Sequence, residues 1–490
     1  MRKALMLLPL AMLLASGQAS ADTLLQIYEK AVQSDPLVRE AEANRLATRQ
    51  GKPIAWGSLL PQINGRYNIN ETASGGETVT SLGNSPPLPR LIDTRDYDAT
   101  FWSLELRQSV FRWDQWVKLS QAGKQSARAD VDYQAAQQDL AVRVADAYFN
   151  VLAAEDTLSS EQAAKDAIGR QLEQAQKRFE VGLIAITDVQ EAQAAYDQAL
   201  AAEILAKRAL ANQNEVLRTI IDETPPQLAK PSEDLPLRSP DPADANQWVD
   251  LAMRQNRSLI SSQIGAQIAK DDVSIARAGH YPTIDFVASR NNTDNTGFSR
   301  SPCVDTPVNA NNCFDDATPI PNPIPAGTIL QYGTSTNLEN DSLSLQLALP
   351  IFAGGSTSAR VKQAVYQHRA ARERLERTAR ETERQTRDAY LGVISGISRV
   401  QALKQAFESS KTALKATEAG YDVGTRTTVD VLAARRTVFS AETNYLRSRY
   451  DYLINGLRLK QAAGTLTTED IAQIDGLLTD VARPAAPVAN

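Results

Sequence analysis

The chain has 490 residues, a formal net charge of −6, and 22% charged against 42% hydrophobic residues. That length allows two or more globular units. The mildly acidic balance argues against a nucleic-acid partner, and the arginines of 369–387 are interleaved with glutamate, as on a solvated helix face.

The first 21 residues, MRKALMLLPLAMLLASGQASA, read as a signal peptide. Arg2 and Lys3 supply the positive end, Leu5 to Ala15 an apolar stretch too short to span a bilayer, and Ala19-Ser20-Ala21 a cleavage site. The mature chain is expected to start at Asp22, without a lipid anchor because no cysteine sits at the cut. Beyond it no run of about 18 apolar residues occurs, so no transmembrane helix is predicted. Such a chain is periplasmic, secreted, or an outer-membrane β-barrel.

A helical pattern over Leu24–Gly57 breaks near Asp35-Pro36. Two alternating segments follow, QINGRYNIN (62–70) and FWSLELRQSV (101–110). No proline occurs from Arg90 to Thr224, and Asp114 to about Phe179 is predicted as one helix. Its roughly 65 residues would measure about 100 Å. It ends at FEVGLIAITDV (179–189), and a second helix leads to Glu223. The proline-rich stretch 224–242 joins the halves.

The second half then repeats the first. Helical pattern spans Ala243–Gly279 with a break near Asn256, alternation returns over Thr283–Ala288 and SLSLQLALP (342–350), and a second long helix runs from Ser356 to about Gly420. It ends at YDVGTRTTVDV (421–431), the twin of 179–189. LLPQI (59–63) matches HYPTI (280–284), VF (110–111) matches IF (351–352), and ADAYFNVL (145–152) matches RDAYLGVI (387–394). Repeats are thus expected at 22–223 and 243–466, with a short helix and disordered tail over 467–490. The second repeat carries extra residues, placed in Asn291–Asn340. That segment holds Cys303 and Cys313, which are expected to form a disulfide in an oxidising compartment.

In 342–350, Leu343, Leu345, Leu347 and Leu349 share one face, and Ser342, Ser344 and Gln346 the other. A half-buried soluble sheet fits this period. So does a barrel strand with lipid outside and water inside. Four strands cannot close a membrane barrel, and an open edge is not tolerated in hydrocarbon. Several copies would have to pool their strands, and the physics allows two, three or more. A trimeric stalk or adhesin without channel activity would account for export and long helices, but not for duplicated strand pairs.

No catalytic constellation is present: His280 (expected to open a strand) and His368 lie in different elements, and no P-loop, HExxH, CxxC or serine-nucleophile motif occurs. The chain is expected to be no enzyme and to need no cofactor or metal.

LLPQI, VADAYFNVLAAED (144–156), FEVGLIAITDVQ (179–190), SLSLQLALPIFAGG (342–355) and AGYDVGTRTTVDVL (419–432) together resemble the outer membrane efflux protein family, the TolC-type trimeric channel-tunnels. The resemblance covers the mature chain to about residue 480. It implies a mainly α chain with a membrane β-barrel part, assembled as a homotrimer with a 12-stranded barrel in the outer membrane and a helical tunnel across the periplasm. It also implies an exit duct for drugs, ions or secreted proteins, working with a periplasmic adaptor and an inner-membrane pump or ATP-binding transporter. Gly182 and Gly424 suit the left-handed turn at each tip, and Thr187 with Gln190 fits a capping box. The resemblance further implies a gate at the tips. Tyr421 and Arg426 would bond Asp188, Arg426 would also reach Thr187, and Glu418 would bond Gln171. Asp430 matches one of two aspartates ringing the entrance. The second position is Ala433 here, which leaves a single ring.

Overall fold

A computed structural model describes residues 21–78, 91–232, 235–302 and 329–479. Residues 1–20 of the expected signal peptide, Cys303, Cys313 and the end of the chain lie outside these. The order is α1 (Leu24–Ser34), α2 (Pro36–Arg49), α3 (Gly51–Gly57), β1 (Gln62–Thr78), β2 (Leu91–Phe111), α4 (Trp113–Glu180), α5 (Ile186–Ile221), β3 (Lys230–Pro231), α6 (Ala245–Gln255), α7 (Arg257–Ala278), β4 (Thr283–Pro302), β5 (Ile329–Ala348), α8 (Ser356–Asp422), α9 (Thr428–Ala463), α10 (Thr468–Asp475) and β6 (Leu478–Thr479). Two compact units form, and each draws on both repeats: 1–49, 124–268 and 369–490 in one, 50–123 and 269–368 in the other.

The second unit holds an antiparallel sheet of order β1-β2-β4-β5. Its registers align Ile63, Leu106, Ala288 and Leu343 in one row, and Asn64, Glu105, Ser289 and Ser342 in the next. One face is therefore apolar and the other polar, the alternation of a strand between lipid and water. The apolar face is bare in the protomer: Tyr67 is 64% exposed, Ile69 71% and Leu343 78%. On the polar face the hydroxyls of Ser289 and Ser342 are 2.8 Å apart. Among the described residues the outer edges of β1 and β5 are unpaired.

The strands are longer than the alternating segments, at 17 to 21 residues. In β1 the added residues, Glu71 to Thr78, read ETASGGET and are polar on both faces, so nothing in their pattern distinguishes them from a loop. Among the described residues no helix is long and apolar enough to cross a membrane. His280 sits in the turn after α7, its N–H bonded to the Arg277 carbonyl, and does not open β4 as expected. His368 lies within α8.

At the polar face one carboxylate joins three segments. Asp285 near the start of β4 accepts 2.7 Å from Arg107 Nη2 of β2 and 2.9 Å from Nε of Arg112, the residue linking β2 to α4. Asp285 itself is only 4% exposed.

The first unit is built around the middle of α4. From Leu140 to Ala153 nearly every residue is buried, including Tyr148, Phe149 and Leu152 at 0% exposure. Only Arg143, Asp146 and Asn150, which share one stripe of the helix, stay part-exposed, and so wide an apolar face must be enclosed by several elements. Here Leu24 and Ile27 of α1, Leu217 and Ile221 of α5, Leu453 and Leu457 of α9 and Ile471 of α10 enclose it. Each such side chain is worth roughly 1.5–3 kcal/mol on burial. The duplicated motif ADAYFNVL is thus core. Its tyrosine hydroxyls anchor the proline-rich join and the residue just after it, Tyr148 donating to the Ala229 carbonyl at 2.7 Å and its twin Tyr390 to that of Ala243 at 2.8 Å.

The two predicted helix breaks share one geometry. Asp35 and Asn256 each end one helix by donating N–H to the carbonyl four residues back and start the next by accepting from a backbone N–H, Val38 and Leu259 respectively. Asp35 is 2% exposed and takes both Nη atoms of Arg143, at 2.9 and 3.2 Å. In the second repeat a neutral pair of positions replaces the charges, Asn256 for Asp35 and Gln385 for Arg143, and Asn256 donates to the Ala462 carbonyl.

Candidate functional site

The tips joining α4 to α5 and α8 to α9 turn by the same device. Gly182 and Gly424 have φ of 76° and 79°, a conformation that glycine adopts without steric cost. The following residues donate back across the helix end, Leu183 N–H to the Arg178 carbonyl at 2.9 Å and Thr425 N–H to that of Gly420 at 2.8 Å. These are the bonds of a glycine-terminated helix.

In the first tip the helix that follows is capped two residues before the expected place. Ala185, not Thr187, is the N-cap of α5, and Asp188 rather than Gln190 closes the box, its carboxylate accepting from Ala185 N–H at 3.3 Å. In the second tip Thr427 is the N-cap, and Asp430 accepts from its N–H at 2.9 Å and its hydroxyl at 3.0 Å. Asp188 and Asp430, given different roles by the resemblance, therefore occupy the same position in the repeat. Bonds from the Thr427 backbone and hydroxyl hold the Asp430 carboxyl below its ordinary range.

Within the protomer the expected gate links are not formed. Glu418 is paired with Arg435 of α9 at 2.7 Å. The Nε2 atom of Gln171, a residue only 5% exposed, has no partner. The Arg426 side chain makes no hydrogen bond or ion pair among the described residues, while its backbone N–H bonds the Gly420 carbonyl at 3.2 Å. Its stem lies over the last turn of α8, where a Cβ added to Gly420 would come within 2.8 Å of its Cγ. Thr187 is exposed. The Tyr421 hydroxyl lies 3.5 Å from Thr428 Oγ1, and its ring is covered by the Arg178 guanidinium at 4.9 Å.

Sequence reasoning missed Arg178 and Arg435. A signal for the second exists: Glu418 and Arg435 stand equally far from their tip, and so do Lys165 and Glu203 around theirs. Lys165 bonds Glu203 at 2.9 Å and Lys207 bonds it at 2.7 Å, and these lysines, Lys207 foremost, draw its carboxyl down to about 2. Each hairpin is thus clipped by a charge pair. Arg178 is the twin of Gly420, so the two tips exchange an arginine and a small residue.

Residues 27–222 and 248–465 match the family described as outer membrane efflux protein. The chain is 37% identical over 465 residues to "Outer membrane protein TolC" of Escherichia coli, covering 95% of this chain and 86% of that protein. It is 28% identical over 465 residues to "Alkaline protease secretion protein AprF" of Pseudomonas aeruginosa, covering 94% and 88%. Its fold is that of the outer membrane protein VceC from Vibrio cholerae, with a TM-score of 0.67 at 17% identity over 90% of this chain and 96% of that one. The family match spans well over half of the chain, and the chain belongs to the outer membrane efflux protein family.

Proposed function

We propose that three copies of this chain form a gated outer-membrane exit duct. The protein lies in the outer membrane and extends helices into the periplasm. It conducts passively and performs no catalysis. The carrying observation is a four-stranded sheet with one apolar face and two free edges, which has no stable place in a bilayer as a single copy. Three copies close it as a 12-stranded barrel. A periplasmic adaptor and an inner-membrane pump or ATP-binding transporter supply cargo and energy. One relative is named for secretion of a protease and another, BepC, for efflux, so secreted proteins and small molecules are both candidate cargoes.

The six tips of the trimer form the periplasmic gate. Arg426 and Tyr421 of one tip face Asp188 and Thr187 of a neighbouring copy, and Gln171 completes its hydrogen bonding there. The support is that the Arg426 side chain has no hydrogen bond or ion pair among the described residues and that Gln171 Nε2 is buried without an acceptor. Asp430 of each copy contributes negative charge at the entrance. Exposed ion pairs are worth only about 0–1 kcal/mol each. Three copies opening together sum to a few kcal/mol, enough to shift the open population by about one to two orders of magnitude. Arg426→Ser is expected to raise open probability in planar bilayers by that amount without loss of trimer. Asp430→Ala should lower cation selectivity and leave the gate shut. Unchanged conductance in an intact Arg426→Ser trimer would refute the gate.

A further inference from the structure

We infer a second latch, made wholly inside one protomer, from Arg178 and Arg436. This rests on the gated-duct reading, and of the residues assigned to the gate between copies it shares only Tyr421. Each helix of the second hairpin is tied to one helix of the first. The Arg178 guanidinium of α4 covers the Tyr421 ring of α8 at 4.9 Å. Arg436 Nη2 of α9 donates to Gln198 Oε1 of α5 at 2.6 Å. Beneath the second tie, Leu432 packs on Ile168, Ala195 and Ala199.

The neighbouring charges give these ties leverage. Arg435, adjacent to Arg436, binds Glu418 and so fixes α9 to α8. Lys165 and Glu203 fix α4 to α5 in the same way. Each hairpin is therefore clipped into one body, and nearest the tips the two bodies meet through Arg178 and Arg436, with Ser160 of α4 bonding the Phe439 carbonyl of α9 further along. A swing of the second hairpin away from the first must break both ties and withdraw Leu432. Sliding α8 alone is resisted by the Glu418 clip. Arg178 and Arg436 therefore act as positioning residues: they hold Tyr421 and the start of α9 in the shut arrangement, and they touch no cargo.

Either tie, partly exposed, shifts an equilibrium by roughly 1.5- to fivefold. Three copies moving together multiply this to roughly threefold to a hundredfold in open population. The test is single-channel recording of Arg436→Ala, Gln198→Ala, Arg178→Ala and the Arg436→Ala/Gln198→Ala pair, with Arg426→Ser beside them, all as intact trimers. Each single variant should raise open probability within that range. The Arg436→Ala/Gln198→Ala pair should do no more than either member, because both remove one bond. Arg436→Ala should multiply with Arg426→Ser, because those links are separate. If Arg426→Ser opens the channel while Arg436→Ala and Arg178→Ala leave it shut, the second latch is wrong and the gate reading stands. If Arg436→Ala opens it and Arg426→Ser does not, the inner latch stands and the gate between copies is misassigned. If none opens it, both fail.

Discussion

Replacing both Arg107 and Arg112 by alanine is expected to cost the trimer about 3–5 kcal/mol of stability, the loss typical when a buried carboxylate is left unpaired. Asp285 has its side chain 6% exposed, while Arg107 and Arg112 are 46% and 30% exposed. The asymmetry decides which variant hurts. Removing Asp285 frees two arginines that can turn to water. Removing both arginines strands a charge that cannot. Each single arginine variant should cost much less, since the other still bonds the carboxylate, so the pair is more than additive. The consequence is structural as well as energetic, because the cluster joins β2, β4 and the segment entering α4. Dissociation of the detergent-solubilised trimer on heating reads the loss. Adding Asp285→Asn to the double variant should recover most of it, as a neutral amide is cheaper to bury. A double variant as heat-stable as the parent would show that the cluster is incidental.

Much of this architecture is legible in the sequence because it repeats. Absence of proline over 135 and 133 residues licenses α4 and α8, and both form as single helices of 68 and 67 residues. Alternation finds all four strands, but only where one side faces lipid. Beyond Asn70 in β1 and before Phe101 in β2 the chain is polar on both faces, and period two leaves no trace there. The tip glycines are legible because a left-handed turn restricts residue choice. The caps are less so, since Ala185 caps α5 with no side chain of its own and Asp188 does the work from three residues on. Pairs such as Arg178 with Tyr421 join residues 243 positions apart through tertiary packing, and no local pattern encodes them. The matched breaks at Asp35 and Asn256 are an intermediate case. Periodicity locates both, but only the fold reveals that one is charged and paired with Arg143 and the other neutral.

That difference predicts a pH-dependent result. Burial alone would raise the Asp35 carboxyl, but the Arg143 hydrogen bonds and charge and the Val38 and Leu37 N–H groups outweigh it and leave the carboxyl below its ordinary value. A carboxyl lowered in the folded state contributes stability that is present above its unfolded value, about 3.9, and is lost as pH falls through the folded one. Arg143→Ala strands Asp35, which has 3% of its side chain exposed, and should cost about 3–5 kcal/mol near pH 7. In that variant burial dominates and the carboxyl rises above its ordinary value, so protonation relieves the strain. The gap between parent and variant in denaturant midpoint should therefore narrow as pH falls, first because the variant gains stability between its raised folded value and the unfolded value of about 3.9, and then because the parent loses stability below about 3.9. The second repeat indicates the repair. Asp35→Asn with Arg143→Gln places at this break the neutral residues found at Asn256 and Gln385, of which Asn256 bonds the Ala462 carbonyl and Gln385 the Glu381 carboxylate, and should recover part of the loss at pH 7 without the acid dependence that Asp35 contributes. An Arg143→Ala variant whose deficit stays constant from pH 7 to pH 3.5 would show that lost packing of the arginine stem, rather than the stranded charge, sets the cost.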